Sequence, residues 1–392
     1  MANDAQTVHR LDFDFDEDHR LLQQSVREFA FAELTKGAAE RDKKAEMPTE
    51  LIRQMGELGW FGITIPETYG GAGMKTTAST IIVEEVSKAC AGTGVLLSAH
   101  NSLCVEPILT FGTAEQKAKY FPRMATGESV GCLSLTEPGS GSDAGAATCR
   151  AELHADGWHI HGTKIFVTNG REAGVMVLIA VTDPQEPKRR LSAFIVEKPW
   201  PGLRIGKLEK KLGIRCSSTA EFVFEDCVIP KENLLGERGR GMRVALTTLD
   251  GGRIGIAAQA LGIAQACLHE SGRYARTRVQ FNQPIGKFQA IQNKLADMAV
   301  NIEAARLLTY RAAWRKDSGE PFGTAAATAK LFASESSSKA AHAAVQVFGG
   351  YGYCEDYPVE RFLRDARITE LYEGTSEIHR LVIARGLKDA AE

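Results

Sequence analysis

HADGWHIHGTKIFVTNG, residues 154–170, decides how the rest of the chain is read. Asp156-Gly157 is a hairpin signal, and Trp158, Ile160, Ile165 and Val167 then alternate with polar neighbours until Asn169-Gly170 turns the chain. That period of two belongs to a half-buried strand. VMVLIAVTD (175–183), LSAFIVEK (191–198) and EFVFEDCVIP (221–230) continue it between turns, so residues 131–235 read as a β domain, a compact barrel or sandwich. On both sides the period is helical. EDHRLLQQSVREFAFAEL (17–34) puts Leu21, Leu22, Val26, Phe29 and Ala30 on one stripe, and STIIVEEVSKACAG (79–92) repeats the pattern beyond the Pro/Gly-rich loop IPETYGGAGMK. After 236 helices return: one over roughly 241–275, one through 288–316, an Ala-rich one through 324–348 that stops at Gly349-Gly350, and a last one after Gly374. The expected layout is helical 1–130, β 131–235 and helical 236–392.

Composition removes several classes of function. The 392 residues carry a net charge of −2 with basic residues dispersed, which leaves no stripe for tracking nucleic-acid phosphates. The eight cysteines stand singly, without CxxC or Cys/His spacing, so neither a metal site nor a disulfide scaffold is expected and a reducing compartment is. No apolar run has the length of a membrane span. The start, MANDAQTVHRLDFDFDEDHR, has neither a secretory core nor an Arg/Ser-rich transit character. The chain is therefore expected in a bacterial cytoplasm, or in the mitochondrial matrix if it is a trimmed mature form.

Five stretches have the makings of a site. LSLTEPGSGSDAG (133–145) gathers Thr136, Ser140, Ser142 and Asp143 around Gly139 and Gly141, either a nest for an anion or an ordinary polar loop. It lacks the glycine spacing of a dinucleotide fingerprint. KIFVTNG (164–170) offers Phe166 and Thr168, which as residues read most simply as core and turn. TLDGGRIGIAAQALG (248–262) places two glycines inside a helix at about 1 kcal/mol each relative to Ala, so either a ligand or a neighbouring helix comes close between Asp250 and Arg253. YARTRVQFNQPIGKFQ (274–289) supplies Arg276, Arg278 and Gln289 about a turn, with guanidinium forks suited to phosphate. In LYEGTSEI (371–378) a glutamate stands in a break before a helix that starts at Thr375-Ser376; it is a solvated loop carboxylate or a positioned base. The nine histidines have no partners at telling spacing and read as structural.

Together LTEPGSGSDAG, KIFVTNG, LDGGRIG, QVFGGYGY and LYEGTSEI resemble the acyl-CoA dehydrogenase family of flavoproteins in order from about residue 15 to 388. LLSAHNSLCVEPILTFGT, KLGIRCSSTAEFVFEDC and LDGGRIGIAAQALGIAQ are most similar to its short-chain, butyryl-CoA-type branch. The resemblance implies an α+β multidomain fold with an N-terminal helical domain, a middle β barrel and a C-terminal four-helix bundle. It also implies a homotetramer, a dimer of dimers, with one FAD per subunit. Leu133 to Ser142 would then wrap the flavin with Thr136 near its pyrimidine side, and Phe166 and Thr168 would lie beside the isoalloxazine. Arg278, Phe281, Gln289 and the run Gln346 to Gly350, including Gly349, would hold the ADP half, largely of the partner subunit's FAD, and Thr375 and Glu377 would also reach the cofactor. Ser142, Asp250 and Arg253 match CoA-contacting positions, Gly251 and Gly252 would leave room for ligand, and Gly374 would leave room for substrate.

Glu373 would be the base that removes the α-proton of the acyl thioester while the β-hydrogen leaves as hydride, giving a trans-2-enoyl-CoA. The backbone N–H of Glu373 would steady the thioester oxygen, and electrons would pass to an electron-transfer flavoprotein. Gly252 stands where isovaleryl- and long-chain-type enzymes carry their base, and no arginine occurs from Gly92 to Leu103 to pair a dicarboxylyl substrate. Phe166 replaces a frequent Trp, Asn282 a usual Gly, and His379 a more frequent Gln or Arg. The competing expectations are a branched or alicyclic substrate, an oxidase that uses oxygen, and a non-catalytic relative that binds nucleic acid or a partner.

Overall fold

The computed structural model describes residues 15–186 and 188–389; the reading of the extreme N-terminus falls mostly on residues 1–14, outside them. Among the described residues seven α-helices come first: α1 (Glu17–Phe29), α2 (Ala38–Lys44), α3 (Thr49–Glu57), α4 (Thr76–Ala89), α5 (Ala91–Ser98), α6 (Glu106–Phe111) and α7 (Ala114–Ala125). Local chemistry fixes their starts. Asp16 accepts the His19 N–H at 2.8 Å to cap α1, and Thr113 with Gln116 forms a reciprocal capping box on α7. The α1 stripe holds in part: Val26 and Ala30 are buried with Leu34, Trp60, Ile82 and Val86, whereas Leu21 faces solvent.

Eight strands follow: β1 (Val130–Ser134), β2 (Arg150–Leu153), β3 (Trp158–Thr168), β4 (Ala173–Val181), β5 (Leu191–Glu197), β6 (Leu203–Leu208), β7 (Thr219–Ile229) and β8 (Leu234–Leu235). They form one sheet in the order β6-β7-β3-β2-β4-β5-β8, with β1 also paired to β4. Barrel is a loose word for it, because among the described residues no pairing joins the β6 and β8 ends. The edge of β4 is taken mainly by β1, in parallel over 130–134, so β2 meets β4 only at Arg150–Val181. β4 and β5 are buried along nearly their whole length, which is why they read as continuous apolar runs rather than alternating ones.

The C-terminal part is built from α8 (Gly241–Thr277), α9 (Gln289–Asp317), α10 (Gly323–Phe348) and α12 (Ser376–Asp389). A short hairpin of β9 (Val279–Gln280) and β10 (Gln283–Pro284) precedes α9, and α11 (Val359–Ile368), not foreseen from the sequence, lies before α12. α10 packs against the other three long helices, with Ala326, Ala329, Ala333, Ala341 and Ala344 buried in one cluster with Ile256, Ala257 and Ala260 of α8. Small side chains let the axes approach and bury backbone-rich faces. All eight cysteines are free thiols and seven are buried. Among the described residues no helix is long and apolar enough to cross a membrane, and no group of three His, Cys, Asp or Glu side chains is arranged for a metal.

Candidate active site

The break between α11 and α12 is a backbone device. Glu373 and Gly374 both adopt left-handed conformations, with φ of 53° and 96°. For glutamate this costs on the order of 1–2 kcal/mol, and such strain persists only where the surroundings enforce it. They do: Ser376 N–H donates to Glu370 O at 3.1 Å, the Thr375 side chain accepts from Ile378 N–H at 3.4 Å, and the Tyr372 hydroxyl bonds Gln259 of α8. The carboxyl of Glu373 is thereby turned into the protein against α8. A Cβ on Gly252 would collide with Glu373 Oε2 and with Leu103. The glycine expected to leave room for a ligand leaves room for the carboxylate itself.

Glu373 Oε2 is buried without a hydrogen-bond partner. Burial pushes its carboxyl up to about 7, with Lys330 and then Arg253 pulling the other way. This is not a solvated loop carboxylate. Lys330 of α10 is wholly buried, its Nζ donates to Gly374 O at 2.7 Å, and burial brings it down to about 8. Arg253 is engaged with Asp250, whose carboxyl is pushed up by burial against the pull of that arginine. His379 is fully buried with neither ring nitrogen partnered, and burial holds it neutral, near 3. A Cβ on Gly374 would stand 3.0 Å from its Cε1.

A second cluster joins two of the motifs. Lys164 of β3 and Glu137 of the 133–145 loop form a buried pair at 2.7 Å; the lysine also donates to Leu135 O, and Glu137 accepts from Thr148 and Cys149. Burial would raise the Glu137 carboxyl, but Lys164 and Thr148 outweigh it and hold it low. Ile165 N–H donates to Thr136 O at 2.8 Å, so Thr136 lies beside β3. Leu133 and Thr136 are half-buried, while Ser142 is exposed. The core reading of Phe166 fails: the β3–β7 register shifts between Lys164 and Val167, Phe166 takes a φ of 56°, and its ring is 59% exposed. Thr168 is no turn residue; it pairs with Thr219 as the last residue of β3.

A third group lies apart. Arg278, Gly349 and Gly350 line a hollow of about 440 Å³ with Tyr274 and Tyr351, and the Arg278 guanidinium stands 5.6 Å from the Tyr351 ring centre. Gln289 and Gln346 are exposed and do not line it. Phe281, 86% exposed, sits with Asn282 at the tip of the β9–β10 hairpin, both with positive φ. Asparagine tolerates that conformation, which accounts for its standing where glycine is usual. The hollow shares no residue with the Glu373 loop or with 133–142. A cleft of about 1380 Å³ lined by α1, α2, α4, α8 and α11 holds none of the candidate residues.

Models of the N-terminal, middle and C-terminal domains of acyl-CoA dehydrogenase match residues 16–128, 132–227 and 239–388. The mouse mitochondrial short-chain specific acyl-CoA dehydrogenase is 52% identical over 94% of this chain and 89% of its own length. The chain belongs to the acyl-CoA dehydrogenase family. Butyryl-CoA dehydrogenase from Megasphaera elsdenii superposes with a TM-score of 0.94 at 44% identity, covering 96% of this chain and all of that one. A chain in the structure of the electron transferring flavoprotein of Acidaminococcus fermentans gives 0.95 at 50% identity, covering 96% and 99%.

The protein is thus an acyl-CoA dehydrogenase, an FAD-dependent oxidoreductase. Its residues fit that cofactor. Cβ atoms on Gly349 and Gly350, beside the Arg278 cation, would meet nothing within 4 Å, and the same holds for Gly139 and Gly141 in the loop that faces β3. For an acyl-CoA dehydrogenase the sequence reading missed Lys330, the environment of His379 and the Lys164–Glu137 pair. Only Lys330 left a signal: it is the one charge between Gly323 and Ala333, and it falls on the stripe of Ala326 and Ala333.

Proposed function

We propose that this acyl-CoA dehydrogenase oxidises a short saturated acyl-CoA to the trans-2-enoyl-CoA, with Glu373 as the base. One observation carries the assignment of the base: a carboxyl with Oε2 buried and unpartnered, pushed up to about 7 by burial, fixed on a strained loop before a helix. Its neighbour supplies the electrostatic half of the chemistry. Among the described residues the Glu373 backbone N–H donates to no group of the protein, so it is free to bind the thioester oxygen as negative charge develops there. Glu373 then takes the α-proton onto its carboxylate, and Gly374 leaves the approach to that carboxylate clear. FAD, when bound, supplies the acceptor for the β-hydrogen as hydride.

Leu133, Thr136, Ser142, Phe166 and Thr168 would hold the flavin end, and Thr375 and Glu377 the start of α12 beside its diphosphate. Arg278, Phe281, Gln289, Gln346, Gly349 and Gly350 would hold the ADP half from a second subunit. The separation of the hollow lined by Arg278, Gly349 and Gly350 from the Glu373 loop supports that division. The family resemblance supports a homotetramer built as a dimer of dimers. Ser142, Asp250 and Arg253 would contact CoA. The names of the mouse and Megasphaera relatives support a short chain, and the Acidaminococcus structure supports an electron-transfer flavoprotein as acceptor. Segments 1–130, 131–235 and 236–392 would be the three working domains.

Anaerobic titration of the purified FAD protein with butyryl-CoA, followed by the flavin spectrum, tests the reading. Bleaching in the wild type and none in Glu373→Gln is the expected result. A flavin that stays oxidised with butyryl-CoA and bleaches with branched or alicyclic thioesters would overturn the short-chain part alone.

A further inference from the structure

Lys330 is buried as deeply as any side chain of the molecule, yet it makes no ion pair within 4.0 Å among the described residues. Its one hydrogen bond there goes to Gly374 O. The Glu373 carboxyl is the negative charge that acts on it most, ahead of Glu370 and Glu377, and Lys330 in turn outranks Arg253 as the positive charge acting on Glu373. The two charges thus face each other across the Gly374 peptide instead of touching. The other ionisable groups around them are Arg253 and Asp250 from α8, His379 and Glu377 from α12, and Tyr372 and Glu370 from the turn. Of these, Arg253 is occupied by Asp250, and His379 is neutral.

This spacing has a chemical consequence. A lysine in contact with a buried carboxylate locks it as an anion and weakens it as a base; with no cation nearby, a buried carboxyl stays protonated. An ammonium one peptide away lies between these limits, and the same ammonium immobilises the carbonyl next to the base. We propose that Lys330 is a positioning residue for Glu373: it pins the Gly374 carbonyl, and its charge sets how much of Glu373 is ionised at neutral pH. The proposal rests on Glu373 being the base.

The test is the pH dependence of flavin bleaching by butyryl-CoA in Lys330→Gln, Lys330→Met and Lys330→Arg. Gln keeps a donor for Gly374 O without the charge, Met keeps neither, and Arg keeps the charge. In Gln and Met the acidic limb of the rate profile moves up by about one pH unit, so bleaching on that limb slows about tenfold. The high-pH plateau falls about tenfold further in Met but stays within about threefold in Gln, and Arg leaves the limb in place.

A limb that does not move in Gln and Met, with FAD retained, would overturn the electrostatic role. Equal plateaus in Gln and Met would overturn the pinning role. Variants that no longer fold with FAD would make Lys330 a folding residue and overturn both. If Glu373→Gln bleaches as fast as the wild type, it is the base assignment that has failed. The infrared carboxyl band lost in Glu373→Gln, titrated with and without Lys330→Gln, then reads the electrostatic coupling without turnover.

Discussion

Two carboxylates, Glu137 and Glu373, have buried oxygens and stand near wholly buried lysines, and the molecule treats them in opposite ways. Glu137 touches Lys164 at 2.7 Å, accepts three further hydrogen bonds from Thr148 and Cys149, and is held low. Glu373 has Lys330 on the far side of a peptide, one oxygen without a partner, and is pushed up to about 7. The first arrangement satisfies every group and ties the 133–145 loop to β3. The second leaves a group unsatisfied and so leaves it able to take a proton. A buried acid–lysine pair is therefore structural or chemical according to whether the two are in contact.

The sharpest way to break the comparison is Glu373→Gln, which should slow flavin bleaching by butyryl-CoA at least about a thousandfold while FAD stays bound. Lys164→Met should spare the base but leave Glu137 buried and unpaired, costing about 3–5 kcal/mol in denaturant unfolding. An equal loss of stability from Lys330→Met would erase the distinction between the pairs. Gly252→Ala should push the Glu373 carboxyl out of its recess and lower the bleaching rate on the order of a hundredfold without loss of FAD.

The fourth test turns on the sign of a pH effect. Because the folded protein raises the Glu373 pKa above its ordinary value of 4.5, ionisation works against folding. That cost is absent below the unfolded value, grows as pH rises, and is complete above about 7. Glu373→Gln should therefore be more stable than the wild type at pH 8 by on the order of 2 kcal/mol, the gain shrinking toward pH 5. Glu137 has the opposite sign, so Glu137→Gln should lose stability at pH 8 and less of it in acid.

The order of the domains was legible because hydrophobic period is a local property. The long runs of α8, α9 and α10 and the alternation in β3 need no knowledge of what they pack against. The motif residues were also legible, since glycine breaks and a helix start mark the Glu373 loop in the sequence itself. Phe166 was misread as core because a shift of register between two strands, which no single strand encodes, turns its ring outward. Lys330 and His379 passed as an ordinary lysine and a structural histidine, because burial of a polar side chain depends on which helices cover it.

By itself, then, the sequence determined the succession of helical, β and helical domains, and it marked Glu373 as a carboxylate on a turn before a helix. Local spacing and backbone preference are enough for that. Only the tertiary structure decided that Gly252 makes a recess for that carboxylate, that Lys330 stands one peptide from it, and that Glu137 is neutralised where Glu373 is not. Those outcomes depend on desolvation and on distances between α8, α10 and the turn before α12, and such distances are properties of packed elements rather than of any one of them.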